Sequence, residues 1–345
     1  MPDFPSSRSR VLSSLVAAFL VASLLAGSRT GQAQDPGTMK ARGIAFLRLT
    51  QGENGAWPSP DTVGITGLVV NALTESGLSV DDPLAARALS FLVAQQKEDG
   101  GIYSEGSRHQ NYETCISVVA LAAANADGRY QATIRKAERY LRDLQWDEGE
   151  GIESSDGAYG GGGYDSKQRP DMSNTQFLIE ALKSAGAGED DPAIQKALIF
   201  VSRAQNLEST HNTLPYAGKV NDGGFIYTPA RGGESKAGTT DNGGHRSYGS
   251  ITYAGLKSLI YAGLTREDPR VIAATKWIKA NYTLSENPGM GQQGLFYYYH
   301  TFARTMSVLE VDSFTDAEGR QHDWRKELLT VLQQKQDGNG SWKNP

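Results

Sequence analysis

Apolar residues recur along this chain at intervals of three and four, the periodicity of amphipathic helices, and they do so in two alternating kinds of block. The first kind is rich in Ala and Leu and carries an aromatic residue with a glutamine five places later. Phe46 and Gln51, Phe91 and Gln96, Tyr140 and Gln145, and Phe200 and Gln205 follow this rule. Trp277 continues the series with Tyr282 in place of the glutamine, and Leu329 with Gln334 closes it. The second kind is headed by a threonine, with a small residue six places on and an aliphatic one at the seventh. Thr66, Thr114, Thr175, Thr252 and Thr301 head its five copies. Positions i, i+4 and i+7 share one helix face, so each copy predicts a helix with a buried stripe. The small residue lets a neighbouring helix come close.

Glycine turns separate the two kinds. Asn54 to Trp57, Asp99 to Tyr103, Asp222 to Phe225 and Asp337 to Trp342 each place a turn before an aromatic residue. Glycine reaches positive φ without steric cost, which a sharp return between antiparallel helices requires. The opposite connections carry Asp-Pro at Asp82-Pro83, Asp191-Pro192 and Asp268-Pro269, where Pro suits the first turn of the next helix. Successive threonines lie 48, 61, 77 and 49 residues apart, so the period is near 48 and the third and fourth units carry insertions. These span roughly 149–170 and 206–244 and are rich in Gly, Ser, Asp and Tyr. Both fall in the same type of loop, and insertions confined to one side of a repeat array mark its working face.

Composition narrows the classes. The 345 residues carry 34 Lys and Arg against 39 Asp and Glu, a net charge of −5, which leaves no basic footprint for nucleic acid. A single cysteine excludes an intrachain disulfide framework. At the N-terminus Arg8 and Arg10 precede an uncharged run from Val11 to Ala26 and the small-residue site Gly31-Gln32-Ala33, the order of a secretory signal peptide. The expected division is therefore a signal peptide over 1–33 and a repeat domain over 34–345, with no transmembrane segment in the mature chain. The mature protein is expected to be exported, either periplasmic or secreted.

A Gln-bearing helix, a Gly-rich turn ending in an aromatic residue, and a Thr-headed helix ending in Ala-Leu together resemble the prenyltransferase and squalene oxidase repeat of squalene cyclases and protein prenyltransferases. The resemblance covers roughly residues 40–345 and implies an all-α fold, an α/α toroid of about five helical hairpins plus a C-terminal unpaired outer helix. It implies that Thr-headed helices form an inner ring and Gln-bearing helices an outer one, with the Gln and the aromatic residue of each turn acting as ties. The chain ends at Pro345, where a sixth Thr-headed helix would begin. An open ring, a ring closed by a second copy in a homodimer, or a shortened reading frame would each account for that.

The resemblance places substrate in a central cavity at the starts of the inner helices, and two family chemistries are tested there. The cyclase acid lies in an Asp-x-Asp-Asp before an inner-helix threonine. Asp171-Met172-Ser173-Asn174 comes nearest, with Ser173 at the acid position. The prenyltransferase zinc needs Asp, Cys and His. His300 matches its histidine, but Ser250 and Thr252 stand at the other two positions and Cys115 lies two repeats away. No metal and no cofactor are therefore expected, and Cys115 reads as a small buried residue. Candidate catalytic groups are Asp171, His300 and Glu113. The candidate cavity lining is Tyr112, Asn174, Tyr248, Tyr253, Tyr297, Tyr298, Tyr299 and Phe302.

Three readings follow: a toroid binding an apolar, isoprenoid-like or glycan-like ligand without the family chemistry, a divergent terpenoid cyclase or prenyltransferase-like enzyme, and a polysaccharide-active enzyme. The metal reading has a direct check. Dialysed protein is expected to show no stoichiometric zinc by elemental analysis, and one zinc per chain, lost in His300→Ala, would restore the metal site.

Overall fold

The computed structural model describes residues 35–57 and 63–344. The expected signal peptide lies outside the described residues. Among them are twelve helices: α1 (Pro36–Thr50), α2 (Val63–Glu75), α3 (Pro83–Ala94), α4 (Gln110–Ala123), α5 (Gln131–Asp143), α6 (Met172–Ala185), α7 (Pro192–Ala204), the short α8 (Ala217–Val220), α9 (Gly249–Tyr261), α10 (Pro269–Ala280), α11 (Leu295–Val308) and α12 (Trp324–Gln334). A two-stranded hairpin, β1 (Phe314–Thr315) and β2 (Gln321–His322), is the only sheet described. No described helix is long and apolar enough to cross a membrane.

The five Thr-headed helices α2, α4, α6, α9 and α11 form the inner ring. They pack on one another in that order, and in α9 every residue from Gly249 to Leu259 is buried. The Gln-bearing helices bury only one stripe, as α5 does with Ile134, Ala137, Tyr140 and Leu141, and they form the outer ring. Several outer helices begin at an aspartate cap: Asp82, Asp191 and Asp268 each accept a backbone N–H of the first turn, with Pro at its head. Arg48 and Arg142, near the ends of α1 and α5, each hold the capping aspartate of the next outer helix through two hydrogen bonds.

One tie is repeated around the ring. The Nε2 of Gln51, Gln96, Gln145, Gln205 and Gln336 donates to the carbonyl of Gly55, Gly100, Gly160, Gly223 and Gly340 respectively. The same Nε2 donates to a carbonyl at the start of the next outer helix: Leu84, Thr133, Ala193, Arg270 or Met39. All ten distances lie between 2.8 and 3.1 Å. The five glycines share φ of +83° to +97°, and a Cβ on any of them would lie within 2.6 Å of a carbonyl oxygen of that helix. Two residues past the glycine, a backbone N–H donates to the inner-helix threonine in four units, at 3.0 to 3.2 Å on Thr66, Thr114, Thr175 and Thr252. The threonine register is thus the inner end of the tie.

Two details differ from the sequence pattern. The third turn is Gly160 to Gly162, inside the first insertion, where fifteen residues separate Gln145 from its glycine instead of four. The last tie is made by Gln336, not Gln334, because Gln336 stands four residues before Gly340 as Gln51 stands before Gly55. Its contact with Met39 closes the outer ring of one chain on itself. Between α10 and α12 the glutamine is replaced by Tyr282, whose hydroxyl donates to Glu327 at 2.7 Å.

Gly160 and Gly186 separate the two costs of losing such a glycine. Gly186 has φ of +108° with nothing near its Cβ position, so Gly186→Ala is expected to cost about 1 kcal/mol of unfolding free energy. At Gly160 a Cβ would lie 1.9 Å from the carbonyl oxygen of Lys196, so Gly160→Ala is expected to cost at least twice as much. Urea denaturation midpoints check the order.

Candidate functional site

The inner helices all start on one side of the ring, and both insertions fold over that side. The first lays Gly163 and Tyr164 on the start of α4, where Asn111 donates from Nδ2 to the Gly163 carbonyl and from its backbone N–H to that of Tyr164. The second lays Tyr227 on the start of α6, where its carbonyl accepts the N–H of Met172 at 2.8 Å. Thr228 anchors the second insertion to the first through the carbonyl of Pro170, and Arg169 pairs with Glu234. The hydroxyls of Tyr164 and Tyr227 come within 3.4 Å of each other.

Under these two tyrosines lies Asp171, 1% exposed. It is the N-cap of α6. Its Oδ1 accepts from the backbone of Ser173 and Asn174 and from the Ser173 hydroxyl, and its Oδ2 accepts from Asn174 Nδ2, all within 2.6 to 3.0 Å. Burial pushes its pKa above the ordinary aspartate value, and these donors, with Tyr227, pull against that shift. Both oxygens are turned into the helix start.

Tyr112, Ser173 and Tyr297 are half-buried near the starts of three inner helices. They gather beside Tyr164 and Tyr227 at the start side of the inner ring, the mouth, with the rings of Tyr112 and Tyr164 6.4 Å apart. Tyr112 stands edge-on to Phe177 at 4.9 Å, and Tyr297 accepts from Gln176 Nε2. Tyr248 caps the start of α9 and is buried. Deeper in the ring the interior is ionic. Glu180 pairs with Lys257 at 2.5 Å and with Arg304 at 2.7 Å, and Arg304 pairs with Glu75 at 2.6 Å, which links four of the five inner helices. His300 lies beside this group, its pKa pushed down to about 3 by burial and by the charges of Lys257 and Arg304. It is therefore a neutral imidazole at ordinary pH.

The three candidate catalytic groups have separate surroundings. Asp171 is under the tyrosine pair and His300 is in the ionic layer. Glu113 accepts from the backbone of Ser104 at 2.8 Å, near Ser107 and Lys97, and burial pushes its pKa up to about 7. Of the candidate lining, Tyr253, Tyr298, Tyr299 and Phe302 face away from the mouth. Tyr253, Tyr298 and Phe302 stack together, Phe302 against Trp324 of α12, while Tyr298 and Tyr299 donate to the carbonyls of Thr283 and Leu284. They fill the layer between the rings because aromatic residues one place apart on a helix point in different directions. Cys115 is buried with its Sγ 3.3 Å from Asn111 Oδ1, and burial holds its thiol well above the usual range. No group of three or more metal-ligating side chains occurs among the described residues.

The family model of the squalene-hopene cyclase C-terminal domain matches residues 58–227. Over that stretch the chain is similar to proteins of the terpenoid cyclase-like superfamily. The squalene–hopene cyclase of Zymomonas mobilis is 26% identical over 174 residues, which are 50% of this chain and 25% of that enzyme. The chain therefore matches only a quarter of that relative's length. Among solved structures, a variant of the type II terpene cyclase MstE from Scytonema, in complex with merosterolic acid A as product, superposes with a TM-score of 0.50. It is 16% identical and covers 85% of this chain and 86% of that one. A protein from Actinoplanes superposes with a TM-score of 0.55 at 12% identity, covering 86% and 90%. These likenesses show the α/α-toroid fold.

The sequence did not point to Tyr164 and Tyr227 as the cover of the mouth, or to the ionic layer. The latter had a readable signal: Glu180 and Lys257 both lie five places after an inner-helix threonine, inside the buried stripe.

Glu113 yields a pH prediction. Its folded pKa of about 7 exceeds the ordinary 4.5, so between these values the folded chain holds a proton that the unfolded chain has released. Stability should fall as pH rises from 4.5 to 7, by on the order of 3 kcal/mol. Glu113→Gln removes that slope, so its melting temperature should exceed that of the parent at pH 8 and approach it at about pH 4.5.

Proposed function

We propose that this chain is an exported binding protein that takes an isoprenoid-derived ligand at the tyrosine-lined mouth of its toroid, without the ring-forming chemistry of the superfamily's cyclases. The observation that carries this reading is Asp171. Protonating an alkene requires a carboxylic O–H aimed at substrate, and both oxygens of Asp171 are occupied by donors of its own helix turn. Ser173 stands where the resemblance would put the acid.

The ligand class is supported by the mouth itself. Tyr112, Tyr164, Tyr227 and Tyr297 offer ring faces with hydroxyl edges, which suits an apolar skeleton carrying a few polar groups. The MstE structure with merosterolic acid A supports the same class. The ionic layer below Gln176 favours a ligand held near the mouth over one threaded along the axis. Export rests on the basic, apolar and small-residue order of residues 1–33.

A divergent enzyme is the second reading, favoured by Glu113, a buried carboxyl near half protonation at neutral pH. One experiment separates the two. Merosterolic acid A titrated into the protein by calorimetry is expected to bind saturably and roughly tenfold more weakly in Tyr112→Ala. Squalene and geranylgeranyl substrates should be recovered unchanged by mass spectrometry. Turnover lost in Asp171→Asn, which keeps the helix cap, would replace the binding reading with a cyclase. Turnover lost only in Glu113→Gln would move the chemistry to that residue.

A further inference from the structure

The connections from inner to outer helices are short at 76–82, 124–130, 186–191 and 262–268, but the last, 309–323, is about twice as long and folds into the β1–β2 hairpin. Threonine spacing does not reveal it, because no later threonine measures it. It lies at the far end of α11 from the mouth, beside the one junction of outer helices where a tyrosine replaces the glutamine tie. A cavity of about 670 Å³ opens there between α10, the end of α11 and β1.

Leu256, Val271 and Met306 form its buried floor and Phe314 part of its wall. Arg266, Lys276 and Lys279 stand at its rim, and no Asp or Glu lines it. Arg266 is held by the carbonyl of Leu309. Lys276 and Lys279 are exposed, and among the described residues no side-chain hydrogen bond or ion pair engages them. From this arrangement we infer that the cavity binds a free long-chain carboxylate, its alkyl chain on the apolar floor and its head group between the lysines.

The physical case rests on the two halves together. An apolar floor gains from burying methylene groups, about 0.8 kcal/mol for each. A rim of cations without a facing acid leaves positive charge for an anion to offset. The volume falls within the roughly 300–1,000 Å³ of small-molecule sites. A free lipid fits better than a membrane surface, because, of the large apolar side chains in the lining, only Ile272 stands out, 54% exposed.

The test is calorimetry of palmitate with the full chain. Saturable binding at one site is expected, weakened at least roughly tenfold in the double variant Lys276→Glu/Lys279→Glu, with hexadecanol also at least roughly tenfold weaker than palmitate. Both lysines are exposed, and circular dichroism should show the variant folded as the parent. Undiminished binding by the double variant, equal binding of hexadecanol, or the absence of saturation would overturn the inference. So would binding to phosphatidylglycerol vesicles without binding of free palmitate. Palmitate binding lost in Tyr112→Ala but kept in the lysine variant would place the fatty acid at the mouth and overturn it as well, while leaving the terpenoid reading to its own titration.

Discussion

The architecture depends on a single side-chain amide used five times. A glutamine at the end of an outer helix directs its two N–H donors to two carbonyls, one in the turn that follows it, which has no helical partner, and one in the first turn of the next outer helix. A carbonyl of an irregular turn, buried without a donor, would cost on the order of 1–3 kcal/mol. The amide therefore satisfies the turn and fixes the next unit's position in the same act. Glycine makes the approach possible, since its hydrogen faces the neighbouring helix backbone where a methyl group would collide.

Because the tie fixes only the two ends of a turn, the chain between them is free to lengthen. Gln145 and Gly160, and Gln205 and Gly223, are held like Gln51 and Gly55 although the intervening chain is several times longer. Further lengthening follows Gly223, which stands 29 residues before Thr252, where Gly100 stands 14 before Thr114. Tyr227 reaches over Asp171 from this added segment, and Tyr164 from the loop after Gly160. The ionic layer is a different matter, because it sits on the inner helices themselves. Two carboxylates and two cations neutralise one another there, and removing one partner would leave a buried charge uncompensated.

Most of the ring was legible in the sequence because its ties are made by residues at fixed spacing. The threonine register placed all five inner helices, since a hydroxyl that caps a turn must keep its distance from the small residues that let helices approach. The third turn was hidden because Gly160 lies far from Gln145 along the chain. Gln334 took the place of Gln336 in the pattern because both sit at the end of a periodic stretch. The site was less legible. Helix spacing put Tyr112 and Tyr297 at the mouth together with Tyr298 and Phe302, but the facing direction of consecutive aromatics is decided by packing. Glu113 and His300 each stand one residue before an inner-helix threonine and Asp171 four before, and the three-dimensional structure gives each a different neighbourhood and a different proton affinity.

The contact between Gln336 and Met39 spans 297 residues of sequence, whereas the ties Gln51–Leu84 and Gln96–Thr133 span 33 and 37. In an open solenoid the terminal repeats have one neighbour each, so they fray first and need a polar cap. Here each outer helix has a neighbour on both sides, and no unit is terminal in that sense. The closing contact also carries the largest loop-closure entropy among these ties, so it gains stability only once the intervening units are in place. A stack of nearly independent hairpins is thereby made into a body whose first and last units stand or unfold together.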